Sequence, residues 1–127
     1  MAGQADTDAL VVALGQSVLG DQRFANSDWG ALALVIQLDG QESMSGYAYA
    51  PSGDWEAAIP ASFDVLDHAE ALRAAMAAAG KGEWKTCLVQ IKRPGPKLTV
   101  DFDYEDVDRW AITPANLQQR VEELRPR

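Results

Sequence analysis

The sequence predicts an α+β fold: a four-stranded antiparallel sheet with helices packed on one face, in the order α-β-β-α-β-β-α. Three observations carry this expectation. Apolar residues recur at helical spacing in three stretches, they alternate in four shorter ones, and each pair of alternating stretches is joined by a Gly- or Pro-containing turn signal. Helices that flank such hairpins must bury their apolar stripes, and the simplest place is one face of the sheet.

The first helix is expected behind the cap-type residues Asp6 and Thr7, with Leu10, Val11, Leu14 and Val18 at helical spacing and Gly20 as its stop. After a polar stretch, Leu32, Leu34, Ile36 and Leu38 alternate within 29–38 and predict a well-buried strand. Asp39-Gly40 is a tight-turn signal, and 42–50, with Tyr47 and Tyr49 on one side, supplies the returning strand. The segment 55–61 reads as an irregular connection, because Pro60 is unsuited to the middle of a sheet. A second helix is expected behind Asp64 as N-cap, with Val65, Ala69, Leu72 and Met76 on one stripe and Gly80 and Gly82 closing it. Residues 84–91 and 97–104 form the second strand pair across Pro94-Gly95-Pro96. Thr113-Pro114 predicts the start of a third helix, in which Leu117, Val121 and Leu124 recur until Pro126. Trp29 and Trp84 read as core anchors, while Trp55, between Pro51 and Pro60, is a candidate exposed one.

At 127 residues, 47% hydrophobic and 24% charged, the chain fits one globular domain spanning 1–127. The N-terminus shows no basic region before an apolar stretch, and no run is long enough to cross a bilayer, so a cytoplasmic protein is expected. A net charge of -8 repels phosphate, which argues against nucleic acid and against anionic membrane as partners. The charge is unevenly spread: residues 1–71 hold eleven acids and one base, Arg23, whereas 72–127 hold eight acids and ten bases. Folding either turns this split into an acidic side or interleaves the halves.

No catalytic residues are assigned. The single histidine, His68, falls in the second helix and reads as a helix-surface residue; the single cysteine, Cys87, falls in an apolar strand and reads as a core thiol. One His and one Cys cannot build a structural zinc site, and no Gly-x-Ser-x-Gly, Walker or Gly-x-Gly-x-x-Gly signature occurs. No metal and no cofactor are expected.

The dense polar constellation is Asp101-Phe102-Asp103-Tyr104-Glu105-Asp106-Val107-Asp108-Arg109-Trp110. Alternation puts Leu98, Val100, Phe102 and Tyr104 on the core side and Thr99, Asp101 and Asp103 on the other. Carboxylates so placed are candidate ligands of an oxygen-preferring cation, but Asp106 stands where an EF-hand loop requires glycine. As a binding surface the segment combines steering charge with residue types enriched at interface hot spots, so Asp101, Asp103, Glu105, Asp106, Asp108, Arg109 and Trp110 are the candidate partner-binding residues. The plainer reading is a solvated sheet edge whose charges discourage aggregation.

The segment from Trp84 to Arg127 resembles the closing part of the small YezG-like bacterial proteins, which are regarded as immunity proteins or antitoxins against co-encoded polymorphic toxins. The match lies in an aromatic-led strand, the strand Val100-Asp101-Phe102-Asp103-Tyr104 running into acidic residues, Arg109-Trp110, and a final helix; it covers about a third of the chain. The resemblance implies a stoichiometric protein inhibitor whose acidic face docks on a basic toxin surface such as a nuclease cleft, with Asp101, Asp103, Glu105, Asp106 and Asp108 standing in for phosphates. Two alternatives stay open. An acidic secretion-type chaperone would hold a client through an exposed apolar stripe on the last helix, and a metal-assisted hydrolase would bring Asp101 and Asp103 together with another carboxylate. The chain itself is expected to be a monomer or a homodimer.

Overall fold

The computed structural model describes residues 4–25, 28–40, 42–93 and 95–126. The elements run α1 (Gln4–Gly20), α2 (Gln22–Ala25), β1 (Ala31–Gln37), β2 (Ser43–Tyr49), β3 (Trp55–Ala57), α3 (Asp64–Ala78), β4 (Thr86–Lys92), β5 (Lys97–Asp103) and α4 (Leu117–Glu123). The sheet has five strands in the order β3-β2-β1-β4-β5, with every neighbouring pair antiparallel. The fold is therefore α+β and antiparallel as expected, but richer by one strand and one short helix.

The extra strand is Trp55–Ala57, in the segment expected to be an irregular connection. Its three residues pair with Tyr49, Ala48 and Tyr47, and the Trp55 ring meets the Tyr47 ring edge-on at 5.4 Å. Trp55 is thus half-buried at the sheet edge. Pro60 lies beyond the pairing, so it does not forbid the strand.

The helices do not share one face. Leu32, Leu34 and Ile36 of β1 pack with α1 and α3 through Leu14, Val18, Val65, Ala69 and Leu72. Ala33 and Val35, pointing the other way, join Tyr47, Tyr49, Leu88, Trp110, Val121 and Leu124 under α4. β1 is buried continuously from Leu32 to Ile36, as a strand covered on both faces requires. Three sheet side chains clasp α4 by its carbonyls: the Tyr47 hydroxyl donates to Leu117 O at 2.8 Å, the Tyr49 hydroxyl to Val121 O at 2.8 Å, and Gln90 Nε2 to Leu124 O at 2.9 Å. Val121 and Leu124 lie in the last turn, where carbonyls lack helical partners, so two of these bonds serve as C-terminal caps.

Helix boundaries differ in instructive ways. α1 begins at Gln4, so Asp6 and Thr7 fall inside it; Thr7 is buried, and the Asp6 side chain lies outside the described residues. α3 begins at Asp64 itself, with Phe63 in the cap position and no side-chain cap bond. Thr113 and Asn116 exchange bonds, Thr113 N–H to Asn116 Oδ1 at 2.7 Å and Asn116 N–H to Thr113 Oγ1 at 3.3 Å, which closes a turn and delays α4 to Leu117. Two glycines permit close approach. A Cβ on Gly46 would collide with the Ala33 carbonyl oxygen across the β1–β2 pair, and one on Gly15 would stand 2.7 Å from a Leu98 methyl where α1 crosses β5. Among the described residues no helix is long and apolar enough to cross a membrane.

Candidate partner-binding surface

The seven candidate residues divide by what their side chains already do. Asp103, at the end of β5, accepts the N–H groups of Glu105 and Asp106 on Oδ1 at 2.9 and 2.7 Å, and Arg109 Nη1 approaches Oδ2 at 3.3 Å. This folds the chain back on itself. The Asp106 N–H foremost, then that of Glu105, hold the Asp103 carboxyl below its ordinary value, with some opposition from burial and help from Arg109. A second carboxylate repeats the device: Asp106 Oδ1 accepts the Asp108 N–H at 3.0 Å.

Trp110 anchors the far end of this turn. It is 8% exposed and packs in the core under α4, so it supports the surface from beneath and is not presented to a partner. Arg109 stacks over it with the guanidinium 4.7 Å from the ring centroid, bridging core to surface. Gln37 Nε2 donates to Val107 O at 2.6 Å and ties the middle of the turn to β1. What remains outward is acidic: Asp101, Glu105, Asp106 and Asp108 are exposed, and among the described residues none of them forms an ion pair. Tyr104, expected on the core side, is 39% exposed, because β5 ends at Asp103 and the turn swings it outward beside Gly82.

Strand direction settles how the uneven charge is arranged. β1 leaves, and β2 and β4 enter, at the end of the sheet where β5 finishes, so Asp39, Glu42 and Glu83 gather by sequence position at the end that carries Asp103–Asp108. At the opposite end lie Lys92, Arg93 and Lys97, with Arg125 returning from α4. Lys85 pairs with Asp39 at 3.8 Å at the first end, and Asp28 and Asp54 join the second, so the polarity runs along β4 and β5 while across the whole sheet the charges are mixed.

That basic end was not singled out from the sequence. Arg93 stacks over Trp29 at 3.6 Å and donates from Nη1 to Trp29 O at 3.2 Å, while Arg125 lies 4.6 Å over Tyr49 and pairs with Glu122 at 2.9 Å. The cations are thus spread over aromatic side chains contributed by distant segments, and only Lys92-Arg93 is a local signal. Asp21 was missed as well. It is 6% exposed and accepts the N–H groups of Ala61, Ser62 and Arg23 at 2.7, 3.0 and 2.9 Å, fastening the α3 approach to the end of α1. Burial pushes its pKa up, and the three N–H groups together prevail and hold it below the ordinary value.

A polar hollow of about 560 Å³ brings His68 near Asp21, Ser17, Ser62 and Asp64. Its most buried acid, Asp21, is committed to backbone N–H groups and is not available as the partner of a catalytic histidine. Cys87 is fully buried, and burial pushes its thiol well up, away from the reactive thiolate. Among the described residues no three His, Cys, Asp or Glu side chains converge in a metal-holding group, and Asp103 is occupied by the turn it organises. No family model matches the chain, and no curated protein matches it significantly.

Proposed function

We propose that this chain is a small acidic protein-binding domain of the immunity or antitoxin kind, which inhibits a partner toxin by stoichiometric binding. The observation that carries the reading is the turn at 103–110. Asp103 and Trp110 hold it in one shape, and the carboxylates of Asp101, Glu105, Asp106 and Asp108 are left outward without ion pairs. A preformed acidic surface loses little entropy on docking and steers a basic partner electrostatically. The resemblance of 84–127 to YezG-like immunity proteins points the same way. In this reading Trp110 acts from below and Arg109 sets the rim.

A client-holding chaperone is the second reading, favoured by Phe63 and Ile59, which are 76% and 49% exposed on the segment leading into α3. The stripe that would have supported it on the last helix is covered, since Val121 and Leu124 are buried against the sheet. Affinity capture from a lysate of the source organism, at low and at high salt, separates the two. The inhibitor reading expects a basic protein, in stoichiometric amount, weakened by salt and lost in a Glu105→Lys/Asp108→Lys variant. A client retained at high salt and by that variant supports the chaperone instead.

A further inference from the structure

We propose that a second copy of the chain docks on the outer edge of β5, extending the sheet across a two-fold axis centred on Val100. The two edges of the sheet are unlike. β3 is a three-residue strand fastened by the Arg23–Glu56 ion pair at 2.8 Å, a blunted edge. β5 is a regular seven-residue strand with no strand beyond it among the described residues.

The hydrogen-bonding direction of β5 follows from its neighbours. Leu38 N–H donates to Lys85 O at 2.9 Å, and Arg93 N–H to Gly30 O at 2.8 Å; both lie in the β1–β4 register of Ile36 with Cys87. Odd-numbered residues of β4 therefore bond to β1, and the even-numbered ones face β5. Their partners there are Lys97, Thr99, Asp101 and Asp103. The backbone N–H and C=O groups of Leu98, Val100 and Phe102 accordingly point out from the open edge, where another strand can take them.

The strand is complementary to itself when reversed. With Val100 facing Val100 of the other copy, Leu98 faces Phe102, Thr99 faces Asp101, and Lys97 faces Asp103. Apolar meets apolar on the α1 face, and on the α4 face the Lys97 ammonium meets Asp103 on Oδ2, the oxygen not taken by the turn's N–H groups, which Lys97 would share with Arg109. Among the described residues Lys97 has no ion pair within its own chain. The polarity along β4 and β5 agrees, because antiparallel pairing lays Lys92, Arg93 and Lys97 of each copy beside the acidic turn at 103–108 of the other. Val12, half-exposed on α1, lies one helical turn from Gly15, the residue that touches β5, so the apolar face continues toward the joint. The two Asp103 residues would stand about 20 Å apart along the strands.

Sedimentation of the full chain over a range of concentrations tests this. The wild type is expected to dimerise, and Val100→Pro, which removes an outward N–H and no internal ladder bond, is expected to remain folded and run as a monomer. Thr99→Lys sets an ammonium opposite Asp101 of the other copy twice per dimer and is expected to tighten association roughly two- to thirtyfold. Should Val100→Pro unfold, the register is read by oxidation: Val100→Cys is expected to crosslink between copies and Asp101→Cys not. A wild type that stays monomeric at high concentration, a folded Val100→Pro that dimerises like the wild type, or crosslinking of Asp101→Cys in place of Val100→Cys overturns the proposal. The pairing takes Asp101 into the joint, whereas the proposed function is probed at Glu105 and Asp108, outside β5, so the two can fail separately.

Discussion

Tyr49→Phe tests how the C-terminal segment is held on its face of the sheet. The Tyr49 ring is 2% exposed and keeps its place among Tyr47, Val35 and Leu124 when the hydroxyl is removed. What is lost is the 2.8 Å bond to Val121 O, leaving a helix-terminal carbonyl without its partner in a buried site. A buried acceptor stripped of its donor costs about 1–2 kcal/mol. For a chain of this size that corresponds to a fall in Tm of roughly 4–8 °C. Urea unfolding followed by far-UV circular dichroism should show a lower midpoint with unchanged slope, and hydrogen exchange should quicken first at Val121–Arg125. Burial also raises the Tyr49 hydroxyl above its ordinary pKa of 10.0, with Arg125 opposing. The stability from the neutral hydroxyl is therefore fully present below that ordinary value and declines as pH rises toward the raised one, so the wild type should lose more stability than Tyr49→Phe between pH 8 and pH 11. Equal midpoints for wild type and variant at pH 7, with local exchange unchanged, would refute the clasp and leave α4 held by apolar contact alone.

Gly46→Ala should destabilise by about 2 kcal/mol or more, measured by the same unfolding, because its Cβ meets backbone atoms of β1 that cannot move aside. Cys87 should be silent to a thiol reagent in the native protein and react with one equivalent after denaturation, since its sulfur is fully buried. The Asp103 carboxyl, depressed by the Asp106 and Glu105 N–H groups, should stabilise the turn above the ordinary carboxylate value; the effect fades as pH falls through the depressed one. A carbon-detected NMR titration of Asp103, with Glu105 and Asp106 amide shifts as reporters, reads it.

The strands with strong alternation were legible: Leu32, Leu34 and Ile36 declare one buried face, and Asp39-Gly40 with Tyr47 and Tyr49 declares the returning strand. The second face was not read, because Ala33 and Val35 on β1 are smaller than their neighbours and the cover comes from residues 110–124, far along the chain. Tyr47 and Tyr49 carry the clue in retrospect, since hydroxyls on a buried face require acceptors and α4 supplies them. β3 escaped notice because three residues hold too little pattern to set against a nearby proline. In the candidate surface, the acids were visible as a run. The division of labour was not, because whether Asp103 points outward or turns back to its own backbone is decided by where β5 stops.

Docking of a basic partner on the acidic turn is read by measuring affinity for the captured partner with the wild type and with Glu105→Lys/Asp108→Lys at two salt concentrations. The double reversal is expected to lower affinity by at least tenfold at low salt, with high salt narrowing the gap and the variant unfolding at the wild-type midpoint. Unchanged affinity in a folded variant, at both salt concentrations, would contradict it.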